Sequence, residues 1–191
     1  MARLREFDTD LALERAMNLF WRQGYNGTPL QQLTAELGIG SGSLYAAFGS
    51  KEGLYARALE RYCSGQASAL VEQLESSSDI RATLREALLA MAEADLADPE
   101  RGCLLVNAAT ERSAHEATVE RVKSTMAAVE SALTGALERA QARGELDPGQ
   151  SPAELARFLT TFVQGLRVMG KARADRAFLE SAVSGALKVL D

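Results

Sequence analysis

Three residues, Gly38-Ile39-Gly40, constrain this chain more than any other feature, because they make a tight glycine turn between two short helical patterns. The first pattern opens at Thr28-Pro29-Leu30-Gln31, a capping box with proline at the first helical position, and puts Leu30, Leu33 and Leu37 on one stripe. The second starts at Gly40 or Ser41 and runs about two turns to Phe48, where Gly49 stops it. Helix, tight turn, helix is the arrangement that lets a second helix enter a DNA major groove while the first lies across the backbone.

The surrounding pattern is helical throughout. Leu13, Ala16, Met17 and Phe20 follow i, i+3, i+4, i+7 spacing, with Asp8 to Asp10 offering caps and Gly24 a stop. Ser50 caps a long helix whose Leu54, Tyr55, Ala58, Leu59 and Tyr62 face inward, fading at Ser76-Ser77-Ser78. Asp79 starts a fifth helix carrying Ile80, Leu84, Leu88 and Met91, stopped near Asp98-Pro99. The apolar run Cys103 to Ala109 reads as a short buried helix, though its period also fits a strand. Ser113-Ala114-His115-Glu116 reads as a capping box for a helix ending at Gly144, about 30 residues or roughly 45 Å long. After Asp147-Pro148-Gly149, Ser151-Pro152-Ala153-Glu154 caps a helix with Leu155, Phe158, Leu159, Phe162 and Leu166, and Asp175 opens the last. The expected fold is all-α: a DNA-binding unit at 1–49, then a larger helical effector-binding and dimerisation unit at 50–191.

Charge narrows the function. The chain carries a formal net charge of −5, which argues against coating nucleic acid indiscriminately. Through Tyr62 the count is seven basic against seven acidic residues, so the excess negative charge lies beyond. No apolar run is long enough for a bilayer, and acids interrupt the amino-terminal segment, so a cytoplasmic protein without a membrane partner is expected. One histidine, with no phosphate loop and no metal-ligand spacing, argues against an enzyme; no cofactor or metal is expected.

The run GYNGTPLQQLTAELGIGSGSLYAAFGSKEGLYARAL resembles the tetracycline-repressor (TetR) family: a glycine-aromatic pair before a threonine, then S-G-S-L-Y, an aromatic and S-K-E-x-L. The likeness is strong from Leu11 to Leu59 and is aided further on by Gly102-Cys103-Leu104-Leu105. It implies a nine-helix homodimer, with three helices for double-stranded operator DNA, an effector cavity in the larger unit, and pairing through the last two helices, about 152–190. It places Thr28 at a phosphate and Tyr45 and Lys51 on backbone contacts, and leaves base reading to Ser41, Gly42 and Ser43. Packing on the second helix accounts for Tyr45 as well, and a solvated position beside a cap for Lys51. The reading face has no arginine for guanine and no amide side chain for adenine, so shape and backbone contacts are expected to weigh heavily.

Met91, Cys103, Met126, Phe158 and Phe162 are candidates to line a cavity for a small apolar effector, although core packing explains each equally well. Cys103 also invites an alternative: a regulator switched when its thiol meets an electrophile or Cys63. His115, at the third position of its expected box, is read as solvated. The arm Ala2-Arg3-Leu4-Arg5 suits a minor groove or a solvated tail. A helical adaptor with an unused helix-turn-helix is the remaining reading, favoured by the neutral first unit.

Overall fold

In the computed structural model, which describes residues 7–191, the regular elements of the described residues are all helical. The helices are α1 (Thr9–Gln23), α2 (Leu30–Leu37), α3 (Ser41–Phe48), α4 (Lys51–Glu75), α5 (Ile80–Ala97), α6 (Leu104–Glu111), α7 (Glu116–Ala142), α8 (Pro152–Lys171) and α9 (Arg176–Ala186). A 3-10 turn, Leu187–Leu190, closes the chain. Among the described residues there is no strand, so Cys103 to Ala109 resolves as helix.

Side-chain caps set most of the starts, because the first amides of a helix have no partner within it. Asp8 accepts from the amides of Asp10 and Leu11 at 2.9 and 3.0 Å, and Ser50 from Gly53 at 3.0 Å. Asp79 accepts from Ala82 at 2.9 Å, Ser151 from Glu154 at 3.4 Å and Asp175 from Phe178 at 2.8 Å. Gly38 ends α2 at φ +66°, left-handed backbone that glycine adopts without strain.

Two expected caps are corrected. Thr28 does not cap α2: Pro29 is the cap residue, and the Thr28 hydroxyl donates instead to Gly24 O at 2.6 Å. Nor does Ser113 cap α7. His115 does so, its Nδ1 accepting from the Thr118 amide at 3.2 Å while its Nε2 meets the Glu52 carboxylate. A ring nitrogen here takes the place usually held by a short oxygen-bearing side chain.

Two apolar cores follow from this order. The first joins Phe20, Leu33, Leu44, Leu54, Tyr55 and Leu104, so α1 to α3 share their interior with the first half of α4 and with α6. Aromatic edges knit it: Phe20 and Tyr25 each present Tyr55 with a near-perpendicular ring, at 5.0 and 5.1 Å. The second core joins α5 with α7, α8 and α9 through Ile80, Leu84, Leu137, Leu159, Leu179 and Val183. Each fully buried leucine of these sets is worth about 1.5–3 kcal/mol relative to exposure.

Trp21 sits at the joint between α1 and α6, its Nε1 donating to Gly102 O at 2.9 Å, with Arg101 over its ring at 4.2 Å and Tyr62 edge-on at 4.8 Å. Between α5 and α8, Asp95 (side chain 2% exposed) pairs with Arg167 (10%) at 3.0 Å. That approach needs Gly170, where a Cβ would stand 2.6 Å from the Asp95 Cβ. Lastly, Phe158, Phe162, Gly165 and Met169 form a stripe at i, i+4, i+7, i+11 along α8. Phe158 and Met169 are exposed, as are Val168 and, on α9, Phe178.

Candidate nucleic-acid interface

α2 and α3 meet at the Gly38–Gly40 turn and are held from below. Leu44 is fully buried and Phe48 nearly so, which fixes which side of α3 faces out. Ser41, Gly42, Tyr45 and Ala46 are exposed on that side, and Ser43 is half-buried. Arg57 of α4 steadies the far end of α3, donating to Ala47 O at 3.3 Å with its guanidinium 5.0 Å from the Phe48 ring centre. The outward face is therefore small and polar, with one large aromatic, Tyr45.

Lys51, the first residue of α4, is half-buried, with Nζ 4.3 Å from the centre of the Tyr25 ring. Burial pulls its ammonium below the usual lysine range; Glu111 opposes that shift and Arg112 adds to it. The Arg112 guanidinium also lies over Tyr25, at 3.9 Å, and pairs with Glu52 at 3.1 Å. Tyr25 thus gathers two cations beside the helix-turn-helix.

Thr28 is placed differently from the expectation. Its side chain is fully buried and its hydroxyl is already used, so it braces the α1–α2 loop rather than presenting an oxygen outward. The arm from Ala2 to Arg5 lies outside the described residues. Tyr25, Arg57 and Arg112 were missed by sequence reasoning. The glycine-aromatic pair at Gly24-Tyr25 was a signal for the first, whereas Arg57 and Arg112 acquire their partners only through the packing of α4 and α6 on this unit.

The five cavity candidates are divided among different surroundings. Cys103 and Met126 pack against the first core and Phe162 against the second. Met91 is half-buried and its carbonyl accepts from Arg167 at 3.1 Å. Phe158 is the clear correction: it is 42% exposed and stacks on Phe162 at 6.2 Å on the outer face of α8. Two surface concavities, along α4 from Ala67 to Ser76 and along α7 from Ala127 to Glu138, include none of the five. No helix among the described residues is long and apolar enough to cross a membrane.

A buried-rooted helix-turn-helix with a polar outer face, carried on a helical body, defines a DNA-binding regulator. Residues 12–58 match the family described as bacterial regulatory proteins, tetR family, and residues 69–186 match the tetracyclin repressor-like C-terminal domain. The chain belongs to the TetR family of transcriptional regulators. It is 35% identical over the full length of both chains to an uncharacterized HTH-type transcriptional regulator of Bacillus subtilis, YezE. It is also 34% identical to the HTH-type transcriptional repressor ComR of Escherichia coli, over 91% of this chain and 84% of that one. Among solved structures it is similar to CifR, a TetR family regulator seen as a cysteine mutant complexed with 26-bp double-strand operator DNA; identity is 34%, both chains are covered completely, and the TM-score is 0.88.

Proposed function

We propose that the protein is a repressor whose two copies set their α3 helices in successive major grooves of a near-palindromic operator, about 34–36 Å apart, and that a small effector releases it. The observation that carries this is the α3 face: Ser41, Gly42 and Tyr45 outward, Leu44 and Phe48 anchored beneath. The operator complex of CifR and the repressor name of ComR support it. In this reading residues 1–49 engage DNA and residues 50–191 pair and sense. Ser41, Gly42 and Ser43 read bases, while Tyr45 and Lys51 touch backbone. Thr28 contributes indirectly, holding the loop so that the first amides of α2 face a phosphate. Copies pair through α8 and α9, whose exposed Phe158, Val168, Met169 and Phe178 need cover.

Selection of bound sequences from a random duplex pool tests the reading, with affinity for the winner followed against salt. A near-palindrome should emerge; no enrichment would leave the adaptor reading standing. Lys51→Ala is expected to weaken binding to every sequence and to flatten the log-affinity against log-salt slope by about one unit. An unchanged slope would remove Lys51 from the phosphate contacts.

One observation favours a second trigger. The Tyr62 hydroxyl donates to the Cys103 sulfur at 3.5 Å, at the start of α6, and Cys103 is only half-buried. Cys63, by contrast, is buried, and desolvation pushes its thiol up. Alkylation confined to Cys103 and verified by mass spectrometry should then lower operator affinity. Unchanged affinity in the alkylated protein would end the thiol reading.

A further inference from the structure

α6 is eight residues long, yet both of its ends are bonded to the DNA-binding end of the chain. Just before its start, Gly102 O receives Trp21 Nε1 at 2.9 Å and the Arg167 guanidinium at 2.5 Å. At its other end, the Glu111 carboxylate accepts the backbone N–H of Tyr25 on Oε2 at 2.8 Å and that of Asn26 on Oε1 at 2.7 Å. Both amides belong to the loop joining α1 to α2, some 85 residues away in sequence.

The loop is shaped to receive that carboxylate. Gly24 has φ +74°, an angle that favours glycine, and a Cβ there would stand 2.7 Å from Glu111 Oε2, so any other residue would push the carboxylate out of its place. Next to it, Thr28 ties the loop shut through Gly24 O, and the Tyr25 ring holds Lys51. The glycine-aromatic pair of the motif thus has a partner outside the motif.

We propose that Glu111 is a positioning residue for DNA binding: its two-oxygen grip on the Tyr25 and Asn26 amides orients the helix-turn-helix and Lys51 against the helical body. The inference rests on the operator-binding reading above. Bonds from amides to an ionised carboxylate are about twice as strong as neutral ones. They are also directional, so one short helix of about 12 Å can carry a displacement at its Cys103 end to the loop that sets α2.

The sign of the effect separates positioning from bulk electrostatics. Removing a negative charge near DNA by itself tightens binding, whereas loss of the grip misplaces α3 and weakens it. Full-length wild type, Glu111→Gln and Glu111→Asp are compared on the operator selected by the wild type and on an unrelated duplex, across salt. Glu111→Gln keeps the shape but turns an NH2 toward one amide; Glu111→Asp keeps the charge but withdraws it. Both variants should bind the operator about tenfold more weakly, equivalent to one strong hydrogen bond. The salt slope should flatten by no more than the roughly one unit expected of Lys51→Ala, since Lys51 is the one phosphate contact that the grip orients. A residue with only a structural role would lower the melting temperature and leave the affinity of the folded fraction unchanged. That result, or tighter binding by Glu111→Gln, overturns the inference. A wild type that selects no DNA overturns the operator reading itself, and this inference with it.

Discussion

Phe158→Glu is expected to turn the protein into a monomer and to reduce operator affinity by at least about a hundredfold, because a half-site bound alone forfeits the effective concentration that linkage to a second half-site supplies. The phenylalanine is 42% exposed and stacks only on Phe162 in its own chain, so its removal costs the isolated fold little. A carboxylate there would instead face Phe162, Gly165 and Met169 of the α8 stripe, and in the proposed pair it would be buried without a cation. Sedimentation at micromolar concentration should show half the wild-type mass with unchanged helical content. If the variant remains a dimer that binds operator normally, the α8 stripe is not the pairing surface.

The second large effect is on stability. Asp95→Ala strands the Arg167 guanidinium between α5 and α8, and breaking one side of a buried pair typically costs at least about 3 kcal/mol. For a chain of this length that corresponds to a melting temperature lower by roughly 6–12 °C. Arg167 keeps two carbonyl acceptors, Met91 O and Gly102 O, so the loss should sit at the low end of that range. Replacing both partners, Asp95→Leu with Arg167→Leu, should recover most of it. The pH dependence has a definite sign. Burial raises the Asp95 carboxyl above its ordinary value, by more than Arg167 lowers it. The folded state therefore holds this proton more tightly than the unfolded one. Its contribution is full below about pH 3.8 and is lost as pH rises through the elevated value. Asp95→Asn should abolish that decline, as thermal melts across acidic pH would show.

Much of the fold was legible because local chemistry decided it. Asp8, Ser50, Asp79, Ser151 and Asp175 begin helices as their side chains dictate, and Gly24, Gly38 and Gly49 end them. Thr28 was misread because its hydroxyl turns back to Gly24 O, four residues earlier, instead of accepting from an amide of α2; His115 was misread because its ring caps α7 through the nearby Thr118 amide while the distant Glu52 holds its other nitrogen. The α3 face was legible too, since Leu44 and Phe48 must point inward. Phe158 was not, because an apolar residue at helical spacing looks the same whether it faces its own core or another chain. Glu111 gave no signal at all; its partners are main-chain amides, which the identities of Tyr25 and Asn26 do not reveal.

Trp21 is the chain's single tryptophan, and it bridges α1 to the residue preceding Cys103. Its indole touches Tyr62 and Arg101, groups whose distance and polarity govern emission. Tryptophan fluorescence, excited selectively over the four tyrosines, therefore arises from one place, the joint between the DNA-binding end and α6. A compound library could be screened against the unlabelled protein by light alone, with any change in intensity or colour already assigned to that joint.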